Sequence, residues 1–255
     1  MALNKWTREE LILAFNHYFK IPFGKIDDRT PEIIALAKII GRTPSAVALK
    51  LANFAHFDPT LQERGIKGAS HGSKLDAVIW AEFYGDIEKL SFESEVLLAK
   101  KTGKQVEEVA GIYVLDLPKE GREREALVKT RVNQSFFRKT ILAAYSVRCC
   151  ITGLSIPALL TASHIVPWSE DAENRMNPRN GLCLNALHDR AFDKGWITVT
   201  PDLKVKVSPK IQRITADKAA SELILKYDGV SIKEPKRFLP DKKFLEYHND
   251  VIFMK

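Results

Sequence analysis

The sequence predicts an α+β chain: an N-terminal helical module followed by a C-terminal domain of short strands and helices. Three observations predict it. Apolar residues up to about residue 90 recur at helical spacing, those between residues 148 and 207 fall into short β-like runs around one helix, and Lys119–Arg124 is a polar, glycine-containing run that reads as a linker. Residues 1–90 are therefore read as the helical module, 91–130 as a connecting region and 131–255 as the second domain, with its core at 148–200. A chain of 255 residues has the length for two such bodies.

The first helix carries Leu11, Ala14, Phe15, Tyr18 and Phe19 on one face, with Thr7 and Glu10 in capping-box spacing and Pro22 as its stop. Thr30-Pro31-Glu32 opens a second helix through Ile33, Ile34, Ala37 and Ile40 to Gly41. Arg42-Thr43-Pro44-Ser45 is a turn that caps a third, with Val47, Leu51 and Phe54 inward. This pair has the dimensions of a helix-turn-helix, which makes Arg42, Ser45 and Lys50 candidate exposed DNA contacts, although helical hairpins of this size are also common packing units. Residues 62–74 read as a glycine-rich loop, and Leu75, Val78, Ile79 and Phe83 as a further amphipathic helix. Val109–Leu117 has the composition of a strand.

From Arg131 a helix buries Phe137, Ile141, Ala144 and Tyr145. Short β-like runs follow at Arg148–Thr152, Ala158–Val166 and Gly181–Leu184, then a helix from Asn185 to Asp193 with asparagine as its cap. Trp196–Thr200 and Leu203–Val207 alternate around Pro201-Asp202 as a hairpin does.

The formal charge of +7, from 39 Lys and Arg against 32 Asp and Glu, suits a polyanionic partner without requiring one. Three cysteines, Cys149, Cys150 and Cys183, exclude both a disulfide framework and a four-cysteine zinc site within one chain. The first ten residues are polar and no stretch reaches membrane-spanning length, so a cytoplasmic protein with no membrane partner is expected.

The chemistry concentrates in three runs: Ala162-Ser163-His164-Ile165-Val166-Pro167-Trp168, Asn177-Pro178-Arg179-Asn180-Gly181-Leu182, and Leu187-His188-Asp189-Arg190-Ala191-Phe192-Asp193. Together they resemble the HNH (ββα-metal) endonuclease superfamily. The closest likeness is to the branch of restriction-type endonucleases with a His-Ile-x-Pro-Trp strand end, an Asn-Gly-Leu strand start and a Phe-Asp-x-Gly helix end. The likeness covers roughly Arg131 onward, including Gln134, Phe137, Arg138 and the ending Phe244-Leu245-x-Tyr247-His248.

Cutting a phosphodiester needs a base for the attacking water and a cation for charge on the phosphate and the leaving oxygen. The resemblance implies His164 as general base, at a strand end pinned by Pro167, and Asn180 as the residue that bonds loop backbone and aims the histidine. It implies a helix-borne site for Mg²⁺, Mn²⁺ or another divalent ion, with Asp189 as first ligand and His188 as second. Asp193 either helps end the helix or joins the ligands, being four residues from Asp189 and so on the same face.

Two departures stand out. Ser163 occupies the position before the base, where better-known members carry a carboxylate or imidazole, so the metal would depend on His188, Asp189, phosphate and water. Cys150 and Cys183 stand where zinc-knuckle cysteines would be, each without its partner thiol, so no structural zinc is expected and the two thiols should face one another in a small core. Arg190 and Lys194, with Lys233, Lys236 and Arg237, are candidate phosphate contacts.

The expected activity is metal-dependent hydrolysis of double-stranded DNA, in restriction or phage defence, with a homodimer compatible with double-strand cutting. The alternatives are a nucleic-acid-binding or regulatory protein on an inactive HNH fold, and an HNH nuclease for RNA or modified DNA.

Overall fold

The computed structural model describes residues 5–66, 68–69, 72–112, 121–214 and 218–255, with the side chains of 212–214 left aside. The chain divides into two compact units, Met1–Thr140 and Ile141–Lys255. The division lies beyond the connecting region expected at 91–130, which is helical over most of its described length.

Among its described residues the first unit has helices and no strand. Helix α1 (Arg8–Lys20) begins at a complete Thr7/Glu10 capping box, as its sequence predicts. It ends before Ile21 rather than at Pro22, because the residue preceding a proline is pushed to the extended conformation, and Ile21 has φ −101° and ψ 130°. Helix α2 (Pro31–Ile40) starts on Pro31 and stops at Gly41, which supplies the left-handed φ of 69°. Helix α3 (Pro44–Ala55) is capped by Thr43, whose side chain accepts from the Ala46 N–H. A short α4 (Pro59–Gln62) and α5 (Lys74–Phe83) follow, the latter on a Ser73/Asp76 capping box. In α5 Ile79 and Phe83 are buried, whereas Val78, expected on the same face, points to solvent.

Helix α6 (Ile87–Thr102) packs along α1, and α7 (Val106–Ala110) packs against α6. Val109 and Ala110 close α7, so the strand expected from Val109 begins as helix, and Tyr113–Leu117 lies outside the described residues. The core of this unit is aromatic: the Phe15 ring lies 4.7 Å from Phe54, 5.1 Å from Trp80 and 5.2 Å from Phe19. Large apolar rings at these separations dominate burial energetics. The Tyr18 hydroxyl donates to the fully buried Asp58 at 2.7 Å, so that polar group is not left orphaned.

Helix α8 (Arg122–Ala144) starts nine residues before the expected Arg131 and takes in Arg122–Arg124 of the run read as a linker; its last four residues belong to the second unit. There the helix gives way to a tight turn. Arg148–Thr152, expected as strand, is instead folded back by Cys149 N–H to Leu154 and Gly153 N–H to Cys149, with Gly153 at φ 78°. Strands β1 (Leu160–His164) and β2 (Gly181–Asn185) pair antiparallel, with His164 opposite Gly181 and Ala162 opposite Cys183. Helix α9 (Ala186–Asp193) follows β2 directly and packs on both strands. Strands β3 (Ile197–Val199) and β4 (Val205–Val207) form the expected hairpin. Helices α10 (Pro209–Ile214), α11 (Lys218–Leu223) and α12 (Lys242–Tyr247) complete the unit, and α12 continues into a π-type turn at His248–Ile252.

All three cysteines are free and buried. Cys150 N–H donates to the Cys183 carbonyl at 2.7 Å, and burial pushes the Cys150 thiol well above its usual range, with the neighbouring Cys149 and Cys183 adding to the effect. Among the described residues no helix is long and apolar enough to cross a membrane.

Candidate active site

The β1–β2–α9 unit opens a cleft of about 400 Å³ lined by Thr161, Ser163, His164, Pro167, Trp168, Asp189, Asp193 and His248. His164 ends β1, where the loop to β2 begins. Its Nε2 lies 2.9 Å from the Arg175 carbonyl oxygen. A carbonyl only accepts, so Nε2 carries the hydrogen and the neutral ring has its lone pair on Nδ1. Burial lowers the imidazole pKa, against the opposing pull of the Arg175 carbonyl, which keeps the ring neutral at ordinary pH. Trp168 stands edge-on to the imidazole at 5.4 Å, and the Arg175 guanidinium lies over the Trp168 ring at 5.1 Å.

Asn180 fixes this loop. Its Oδ1 accepts from Val166 N–H at 2.8 Å, its Nδ2 donates to the Val166 carbonyl at 3.2 Å and the Asn174 carbonyl at 3.4 Å, and its own carbonyl accepts from Ile165 N–H at 3.0 Å. The residue is fully buried. These bonds go to backbone of the loop that follows His164, so the asparagine holds the loop and does not line the cleft.

Helix α9 brings Asp189 and Asp193 to the cleft. Their spacing of four residues puts them on one face, and burial raises the pKa of each. The Ser163 and Thr161 hydroxyls partly offset this at Asp189, while at Asp193 the charge of Asp189 adds to it. The helix stop does not use the Asp193 side chain: Gly195 at φ 69° makes it, with Gly195 N–H to Phe192 and Trp196 N–H to Ala191. The Asp193 carboxylate therefore belongs to the cleft.

His188 does not. Consecutive residues on an α-helix are about 100° apart, so with Asp189 facing the cleft its neighbour turns away. The His188 ring is 2% exposed, bonds the Asn185 side chain through Nδ1 at 3.0 Å and lies edge-on to Tyr227 at 5.3 Å. Its expected role as second metal ligand is corrected to a packing role under α9.

The DNA contacts expected of the first unit need correction too. Lys50 is buried and donates to both carboxylate oxygens of Asp76 at 2.9 and 2.8 Å. Arg42 bonds Glu10 at 2.8 Å and the Lys5 carbonyl at 2.9 Å and lies over Trp6. Lys50 is the one charged residue of α3, so the exposed face of that helix, with Ser45 and Leu49, presents no cation. In the second unit Arg190 on α9 and Lys194 at its C-cap are exposed, and so are Lys233 and Lys236 further along the chain, whereas Arg237 is 1% exposed and out of reach of a nucleic acid.

A strand-end histidine, an asparagine that knits the loop between two antiparallel strands, and helix carboxylates across a small cleft form the ββα arrangement. The sequence model of the HNH endonuclease family matches residues 149–200. The chain carries an HNH domain. This family acts on nucleic acids as nucleases and generally uses divalent metal ions. None of the curated proteins compared with the chain matches it.

The HNH residues present fit such an ion. Asp189 and Asp193 are hard oxygen donors whose mutual repulsion a cation would relieve, and beside them the Ser163 Oγ is buried without a hydrogen bond of standard geometry. Among the described residues no group of three or more His, Cys, Asp or Glu side chains gathers around one point, so water and phosphate oxygens would fill the remaining positions. Sequence reasoning gave no role to the lining residues Thr161 and His248; the signal for His248 was the Phe244-to-His248 ending.

Proposed function

We propose that the HNH domain is a metal-dependent endonuclease that hydrolyses phosphodiester bonds of double-stranded DNA, and that the protein serves in restriction or phage defence. The observation that carries this reading is the cleft that His164 shares with Asp189 and Asp193.

In it, the Nδ1 lone pair of His164 takes the proton of the attacking water. The Arg175 carbonyl and Asn180 keep the imidazole in the tautomer and orientation that this needs. Asp189 and Asp193 hold a divalent ion, Mg²⁺ or Mn²⁺, with the Ser163 hydroxyl beside them. That ion supplies positive charge for the phosphate and the departing 3′ oxygen. The products are a 5′-phosphate and a 3′-hydroxyl. Arg190 and Lys194, exposed on α9 and at its C-cap, take neighbouring backbone phosphates. Cutting both strands requires two such sites or two successive visits, and a homodimer supplies the first.

The test is nicking of supercoiled plasmid by the whole chain with Mg²⁺, Mn²⁺ or EDTA. Metal-dependent nicking is expected, falling by about 10²–10⁴-fold in His164→Ala and strongly in Asp189→Asn, both variants checked for native melting. A second reading, a nucleic-acid-binding protein on an inactive HNH fold, is favoured by Ser163 in place of an acidic or imidazole ligand. Tight DNA binding with no cleavage of unmodified, modified or RNA substrates in any metal would select it.

A further inference from the structure

His248 lines the active-site cleft yet offers neither nitrogen to it. The residue is fully buried, its ring stacks on Phe192 with centroids 3.6 Å apart, its Nε2 lies 3.2 Å from the Phe192 carbonyl oxygen, and its Nδ1 lies 2.8 Å from Thr198 Oγ1. The carbonyl requires a donor, so Nε2 carries the hydrogen and Nδ1 accepts from the Thr198 hydroxyl. Both nitrogens are committed, which rules His248 out as base and as ligand. The Phe192 carbonyl belongs to the last turn of α9, one residue before Asp193; it accepts from Gly195 N–H at 2.8 Å, and His248 adds a second donor from the C-terminal segment.

The same C-terminal segment holds the chain on the far side of Asp193. Met254 N–H donates to the Gly195 carbonyl at 3.0 Å, and a Cβ on Gly195 would stand 2.1 Å from the Ile252 carbonyl oxygen, so only glycine permits this approach. Asn249 Nδ2 donates to the Val199 carbonyl at 2.8 Å, tying the segment to β3 as well.

We infer that His248 is a positioning residue of the nuclease: it joins the end of α9 to β3 through Phe192 and Thr198, and so holds the Asp193 carboxylate beside Asp189 for the metal ion. The inference rests on the reading of Asp189 and Asp193 as metal ligands. Groups that orient ligands in this way typically change metal affinity by about 10–100-fold when lost.

The experiment is a calorimetric titration of the whole chain with Mn²⁺, wild type against His248→Gln, His248→Leu, Thr198→Val and Asp193→Asn, with melting curves and plasmid nicking alongside. His248→Leu and Thr198→Val should weaken Mn²⁺ by about tenfold or more. His248→Gln, which keeps a donor for the Phe192 carbonyl, should stay within about threefold of wild type on the same argument. His248→Leu added to Asp193→Asn should bring little further loss, because both act through one carboxylate. Should His248→Leu fail to fold, Thr198→Val decides. Wild-type Mn²⁺ affinity in a folded His248→Leu or Thr198→Val, or full additivity with Asp193→Asn, overturns the inference while leaving the nuclease reading intact. Absence of Mn²⁺ binding by wild type overturns the metal ligands and this inference together.

Discussion

At the scale of the residue, the chemistry turns on which protonation state each cleft group holds. Burial lowers the His164 pKa, so the imidazole stays neutral to more acid pH than a free histidine, and it accepts a proton only when neutral. The sign follows: kcat/KM rises with pH through a pKa below the ordinary histidine value of about 6.5 and is level above it. Asp189 and Asp193 must be ionised to hold a cation, and their raised values add to the loss of activity on the acid side. A kcat/KM profile for plasmid nicking at saturating Mn²⁺ checks this, and an acid limb centred above pH 7 would mean that another group is the base. The sequence singles out His164, Asn180 and Asp189 because each sits at a fixed step of a three-part motif, and the fold brings His164 and Asp189 to one cleft. His188 was misread because adjacent helix positions look alike in a motif, and the helix phase that sends Asp189 into the cleft and His188 beneath the helix is set by packing on β1 and β2. His248 carried no signal beyond its place in an ending, since its partners, Phe192 and Thr198, are 56 and 50 residues away.

At the scale of the element, the helices that were legible are those whose caps are local. Thr7/Glu10, Pro31 with Gly41, Thr43 and Asn185 all mark their ends within a few residues, and each marks an end in the structure. Helix α6 escaped notice for a physical reason: its buried residues include Ser91, Ser94 and Glu95, so the apolar periodicity that announces a helix is absent. Polar residues buried between elements also explain why Lys50 was misjudged. It is not a surface cation of α3 but the partner of Asp76, the residue that also completes the cap of α5, and both side chains are almost wholly buried. Removing one partner of such a pair strands the other charge. Lys50→Met, which keeps the aliphatic stem, should therefore destabilise the fold by about 3–5 kcal/mol. Urea unfolding at neutral pH measures it, and a loss under about 1 kcal/mol would show that Asp76 is relieved by water or a proton instead. Pairing that change with Asp76→Asn should restore part of the loss, because the stranded charge is gone.

At the scale of the whole molecule, the net charge of +7 says that a polyanion is welcome but not where it binds, and burial decides which cations can take part. Lys50 and Arg237 are inside, and Arg8, Lys89 and Arg42 are held by carboxylates. Arg190 and Lys194 differ: both are exposed, one on α9 and one at its C-cap, and α9 is the helix that carries Asp189 and Asp193 to the cleft. If they take backbone phosphates, each contributes counterion release, and log K against log salt should lose about 0.9 of its slope per cation removed. The double change Arg190→Ala/Lys194→Ala should then flatten the slope by about 1.8, weakening binding similarly for every duplex sequence, because phosphate contacts position the protein without reading bases. Fluorescence anisotropy of a labelled duplex from 50 to 200 mM KCl, about the range over which such terms are large, with EDTA to prevent cutting, gives the slope. Lys50→Met, checked to be folded under the assay conditions, serves as the control: it removes one positive charge, half of what the double change removes, and should leave the slope unchanged, since a buried, paired ammonium displaces no counterion from DNA. A slope that falls in Lys50→Met by half as much as in the double change would mean that the duplex responds to net charge alone, and that α9 does not lie along the backbone.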